Sequence, residues 1–182
     1  VLDGDLGQSD IGPPCTVAYT SVPKPTTDLF NLAAKNAVFI GATSPSRDTE
    51  TMIRSLATLN KEIITNAPDF VIINTDGWIE GEKAVAYKVQ LAREIKPDLI
   101  IGIQQKDELA SILSALDGFR KMIVDSPSII SQRSMEERKN LRELGYLKYM
   151  RKAKTQSFPL GWLKIEDNNM FGLSKTRTNV KE

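Results

Sequence analysis

Four short apolar runs constrain the fold most: residues 38–40, 70–74, 99–103 and 122–124. Each is rich in β-branched or aromatic side chains and too short to be a helix. Longer amphipathic stretches separate them. Residues 45–66 place Met52, Ile53, Leu56, Leu59 and Ile63 at helical spacing, with Ser44 positioned as N-cap and Pro45 at the first helical position. Residues 81–95 and 107–116 repeat the pattern, the latter with Leu109, Ile112, Leu113 and Leu116 on one face. Strands that are apolar throughout, alternating with crossover helices, predict a mostly parallel sheet covered on both faces, a three-layer α/β/α arrangement. A last charged helix is expected from Ser131 to about Lys154. The main domain is therefore expected over residues 1–154, with 155–182 as a tail or the start of a small C-terminal region.

With 182 residues, 41% of them hydrophobic, the chain can bury one sizeable core. Net charge is +1, so total charge names no partner, but its distribution is uneven. Residues 131–154 carry eight Lys/Arg against three Asp/Glu, while 1–130 carry twelve against seventeen. A basic segment on an acidic body suits an anionic ligand. The chain has no histidine and one cysteine, Cys15. That excludes histidine acid–base chemistry, His-ligated zinc and an internal disulfide. No apolar run approaches the ~20 residues of a membrane span, and the reading is of a cytoplasmic protein.

In an open α/β sheet, ligands bind beyond the carboxyl ends of the strands, and several unusual residues fall there. Asp3-Gly4-Asp5-Leu6-Gly7-Gln8 ends an apolar run with two carboxylates, the hard oxygen ligands that Mg²⁺ requires near phosphates. The plainer reading is that Asp3 and Asp5 cap a turn. Asn74-Thr75-Asp76-Gly77-Trp78 places an indole just past a strand end, where it can stack on a nucleobase or pack on a neighbouring helix. Arg133 and Arg138 open the basic helix, where arginine can grip a phosphoryl group bidentately. Ser134 and Glu137 have capping-box spacing. The alternative there is a solvated helix with Met135, Leu141, Leu144 and Leu147 facing the body.

Taken in order, DGDLGQSDIGPP, VFIGATSP, INTDGWIEG, IGIQQKDEL and RSMEERKNLRELGYLKY resemble the polynucleotide 5′-hydroxyl kinases. These are P-loop RNA kinases related to the pre-mRNA cleavage-complex and ribosomal-RNA-processing kinases, with archaeal members. The resemblance runs from about Val1 to Tyr149 and implies a P-loop-NTPase-like fold, ATP and Mg²⁺ as cofactors, and an RNA or DNA 5′-hydroxyl end as partner. It implies roles for matching residues. Asp5 would hold Mg²⁺ and assist deprotonation of the 5′-hydroxyl, with Gln8 beside it near the γ-phosphate. Thr43 would border the acceptor end, and Thr75 and Trp78 would clasp the terminal base. Arg133 and Arg138 would close over the triphosphate, and Gln105 would lie near the nucleotide base.

The family's phosphate loop, Gly-x-x-x-x-Gly-Lys-Ser/Thr, is expected roughly 30 residues before Asp3; none of the eleven glycines here is followed by Lys and then Ser or Thr. The expectation is a kinase inactive as this chain stands, with apolar surface along the gap covered by self-association or by residues after Ser157. Two other readings compete: a non-catalytic nucleic-acid-binding or RNA-processing assembly module, and a regulatory P-loop ATPase or GTPase.

Overall fold

The computed structural model describes residues 1–127 and 133–162. Val1–Arg151 form one compact unit and Lys152–Glu182 a second. In the second, the described residues form one regular element, a 3₁₀ turn at Leu160–Trp162. The expected helix start at Ser131 and the tail from residue 163 onward lie outside the described residues.

The first unit is α/β. Its strands and helices run β1 (Leu2–Gly4), β2 (Thr16–Tyr19), β3 (Asn36–Phe39), α1 (Thr49–Ile64), β4 (Ile73–Thr75), α2 (Glu82–Ile95), β5 (Ile100–Gln104), α3 (Ala110–Ala115), β6 (Lys121–Asp125) and α4 (Met135–Met150). One sheet has the order β3-β2-β1-β4 and a second pairs β5 with β6. The pairings β1–β4 and β5–β6 are parallel, as expected for strands joined through helices. The pairings β1–β2 and β2–β3 are antiparallel. Residues 5–15 and 20–35 hold no helix, and a parallel return needs a crossover of a dozen or more residues, usually helical. The four-residue β2 was not anticipated from the sequence.

Helix α1 lies over the first sheet. Its Met52, Ile53, Leu56, Leu59 and Ile63 pack with Leu2, Leu6, Val17 and Tyr19 into the main core. The approach is close enough to demand glycine on β1: a Cβ on Gly4 would sit 3.1 Å from both a Leu56 methyl and the Asn74 carbonyl. The helix starts later than the Pro45 expectation. Ser44 caps a 3₁₀ turn over Pro45–Arg47, and Asp48 then caps α1 by accepting from the Thr51 N–H.

Helices α2 and α3 cover one face of the β5–β6 pair through Ala92, Ile112, Leu116 and Ile100. The parallel register sets Ile101 beside Met122 and Ile103 beside Val124, and all four side chains are exposed. None of the described helices is long and apolar enough to cross a membrane.

Helix α4 corrects the expected apolar stripe. Met135, Leu141, Leu144 and Leu147 are all exposed. The helix docks instead through Gly145, where a Cβ would meet the Pro14 ring at 3.1 Å. Around that contact Tyr149 donates to the Ile11 carbonyl and Lys148 to the Phe30 and Leu32 carbonyls. Tyr146 approaches the Cys15 sulfur at 3.7 Å. The side without a Cβ approaches closely, and aromatic and lysine side chains then satisfy loop carbonyls that leucines could not. The capping box of Ser134 and Glu137 forms as the spacing suggests.

Candidate functional site

The turn after β1 is built around Asp3, which is 2% exposed. Its Oδ1 accepts from the Asp5 N–H and from Asn74 Nδ2 on the neighbouring strand, both at 3.1 Å. Its Oδ2 accepts from the Ser9 hydroxyl and the Asp10 and Ile11 N–H groups at 3.0, 2.8 and 3.4 Å. Both oxygens are consumed, so Asp3 is the staple that sets the loop's shape.

Asp5 is placed differently. Its Oδ1 accepts from the Gly7 and Gln8 N–H groups, each at 3.0 Å, which fixes the carboxylate plane. Its Oδ2 takes no hydrogen bond from the described residues. Burial pushes the carboxyl above the usual carboxylate range, against those two N–H bonds, with Asp3 and Asp76 adding in the same upward direction. One anchored and one free oxygen is the donor set of a Mg²⁺ site in which water and phosphate oxygens supply the remaining ligands. No cluster of three or more acidic, His or Cys side chains able to hold a metal occurs among the described residues.

Gln8 links this loop to α4. Its Oε1 accepts from Arg133 Nη1 at 3.1 Å, and its Nε2 donates to the Gly7 and Arg138 carbonyls. Asp5, Gln8 and Arg133 are thus gathered at one place, beside a cavity of about 70 Å³ that Gln8, Asp10, Phe30, Arg133 and Arg142 line. Arg138 enters this contact through its backbone, and its side chain is in no ion pair among the described residues. Thr43 is adjacent, its carbonyl 3.1 Å from where a Cβ on Gly7 would fall.

The turn after β4 has its own buried carboxylate. Asp76 Oδ1 accepts from the Trp78 N–H at 3.0 Å, and Oδ2 accepts from the Tyr87 hydroxyl at 3.0 Å and from Lys88 Nζ at 3.1 Å. Lys88 also donates to the Asp76 carbonyl and the Thr75 hydroxyl. Burial pulls the Lys88 ammonium below its ordinary value, opposed by Asp76 and Asp5, and burial beside Asp76 raises the Tyr87 phenol. Sequence reasoning missed Lys88 and Tyr87.

Trp78 stacks on Tyr87 with centroids 5.9 Å apart and planes at 25°. The indole is half-buried against the main core rather than free-standing. It lines a cavity of about 440 Å³ between α2 and the start of α1. That cavity shares no residue with the one beside Arg133. Gln105 sits in the turn after β5, its N–H donating to Glu108; the buried glutamine there is Gln104, whose Oε1 accepts from the Leu109 N–H.

An α/β unit with an acidic loop after one strand, an indole loop after its parallel neighbour and Arg133 held at the acidic loop is consistent with a P-loop-like α/β fold. The sequence profile of the family described as mRNA cleavage and polyadenylation factor CLP1 P-loop matches residues 1–152, and the chain belongs to that family. It is 29% identical over its whole length to a polyribonucleotide 5′-hydroxyl-kinase of Pyrococcus furiosus, of which it covers 50%. It is 28% identical over 85% of its length to the enzyme of the same name from Methanocaldococcus jannaschii, covering 42% of it. A more distant match is the protein clpf-1 of Caenorhabditis briggsae, 29% identical over 78% of this chain and 35% of that protein. The chain thus spans about half the length of the archaeal relatives it matches.

Proposed function

We propose that this chain carries the acceptor-holding part of an ATP-dependent polynucleotide 5′-hydroxyl kinase, acting on an RNA or DNA 5′ end. The observation that carries the reading is Asp5, held with one oxygen free on a loop whose shape Asp3 fixes, and tied through Gln8 to Arg133. ATP would supply the γ-phosphoryl group, and Asp5 would help hold a Mg²⁺ ion that offsets its charge. Asp5 accepts the proton of the 5′-hydroxyl as its oxygen bonds to phosphorus and the bond to the ADP leaving oxygen breaks. Arg133 presents a guanidinium to the transferring oxygens and Arg138 adds a second, the charge stabilisation on which phosphoryl transfer depends. Thr75 and Trp78 clasp the terminal base, Thr43 borders the acceptor end, and Gln105 lies toward the nucleotide base.

A second reading, a non-catalytic nucleic-acid-binding module, has one observation in its favour: Trp78 lines one cavity together with Arg47 and Lys83. The two readings share Trp78 and part at Asp5. The experiment compares 5′-hydroxyl and 5′-phosphoryl oligonucleotides binding to the chain without divalent cation. In the kinase reading the 5′-hydroxyl form binds more tightly, because Asp5 repels a terminal phosphate, and Asp5→Asn narrows the gap. Equal affinities, unmoved by Asp5→Asn, favour the binding module.

A further inference from the structure

The cavity that Trp78 lines extends well beyond the indole. Its walls are the 3₁₀ turn before α1 and one face of α2, and its lining includes Arg47, Asp48, Lys83, Tyr87 and Gln90. At about 440 Å³ it is larger than one stacked base requires. Its charged lining residues are two of each sign, Arg47 and Lys83 against Asp48 and Glu50. Asp48 caps α1, and its bonds to Thr51 hold its carboxyl below the usual range, so it stays ionised. Glu50, also on the wall, is paired with Arg54 at 2.6 Å. Arg47 and Lys83 are exposed, and neither is in an ion pair among the described residues. With Glu50 matched by Arg54, the cleft keeps two cations against the single carboxylate of Asp48, and the stacked Trp78–Tyr87 pair lines it with them.

We infer that this cleft is the track for the nucleic-acid strand beyond its 5′-terminal nucleotide, with Arg47 and Lys83 taking the phosphodiesters that follow the base stacked on Trp78. The inference rests on the kinase reading's placement of the terminal base. An aromatic platform flanked by cations is how a single strand is held without sequence readout. A single nucleoside would use the platform alone, whereas a longer strand would use the cations as well. The groove thus sets a length dependence that Asp5, Arg133 and Arg138 do not.

The test titrates a 5′-hydroxyl nucleoside and a 5′-hydroxyl hexanucleotide against the Trp162→Phe chain, so that Trp78 is the fluorescent reporter. Arg47→Gln with Lys83→Gln is expected to weaken the hexanucleotide by on the order of tenfold at low salt. It should also reduce the log–log salt slope by ~1.4, from ~0.7 per phosphate contact on a single strand. Nucleoside binding should be unchanged, which also shows that the double variant is folded and its platform intact. Unchanged hexanucleotide affinity and slope would overturn the track. A Trp78→Ala variant, followed by anisotropy of a labelled hexanucleotide, separates the two layers. Weakening there with no effect of the double variant rejects the track alone, whereas no effect of either rejects the placement of the terminal base as well.

Discussion

The turns after β1 and β4 lie side by side on parallel strands, Asp3 opposite Asn74 and Gly4 opposite Thr75, and each is organised by a buried aspartate. They are built in opposite ways. Asp3 takes its donors almost entirely from its own loop, within residues 5–11, with Asn74 the one long-range partner. Asp76 holds one N–H of its own loop and spends its other oxygen on α2, through Tyr87 and Lys88. The first turn is a self-contained frame that presents Asp5 in a fixed plane. The second is staked to a helix by a buried ion pair, so the position of Trp78 depends on charge. In the proposed kinase a reactive carboxylate needs the first kind of support, and a platform for the strand can use the second.

Breaking the frame should cost the most. Asp3→Ala strands several buried N–H groups at once, each worth about 1–3 kcal/mol, and is expected to cost about 4 kcal/mol or more in a denaturant melt. A cost below about 1 kcal/mol would mean the loop re-forms without its staple.

Breaking the stake should cost somewhat less and be repairable. Lys88 and Asp76 side chains are 10% and 6% exposed, so Lys88→Met leaves a buried carboxylate without its counter-charge, at about 3 kcal/mol. Adding Asp76→Asn to that variant should recover part of the loss, because an amide needs no counter-charge. A double-mutant cycle on melts checks this, and strictly additive losses would show that the pair is not coupled.

Asp5→Asn sharpens the contrast, because it should cost nothing. An asparagine oxygen can still accept from Gly7 and Gln8. The native Asp5 carboxyl titrates above its ordinary 3.8, so the folded state binds that proton more tightly than the unfolded chain. Its contribution to stability therefore falls as pH rises from 3.8 through the native value. Relative to the parent, Asp5→Asn should gain stability across that window, keep the gain at neutral pH and show none below it. Melts from acid to neutral pH test the sign, and a variant less stable at neutral pH than at acid pH, relative to the parent, would reverse it.

The contrast also marks what was legible in the sequence. Strands β4, β5 and β6 were readable from apolar runs, and the acidic turn was readable because motif residues sit next to one another. Within it, the structure divides two readings that adjacency left open: Asp3 is the cap and Asp5 the free carboxylate. Lys88 was missed because its partner lies twelve residues back along the chain, beyond any local pattern. A signal was present all the same. Ala84, Tyr87 and Leu91 are the buried stripe of α2, and Lys88 falls on that stripe, where a lysine is uncommon unless paired. Strand β2 stayed hidden because four residues cannot announce a period. The α4 leucines misled because helical spacing alone does not say which face is used, and the absent side chain of Gly145 decided it.

The central claim is that the Asp76-staked loop presents Trp78 to a nucleic-acid 5′ end. The most direct measurement is an anisotropy titration of a labelled 5′-hydroxyl oligonucleotide against Trp78→Ala, alongside a melt of the same variant. One lost stack is worth about 1–3 kcal/mol, so affinity is expected to fall about 5- to 150-fold while the variant stays folded, with a smaller loss of stability from its half-buried ring. Unchanged affinity in a folded Trp78→Ala chain would contradict the account, leaving the indole as packing for Tyr87 and the core.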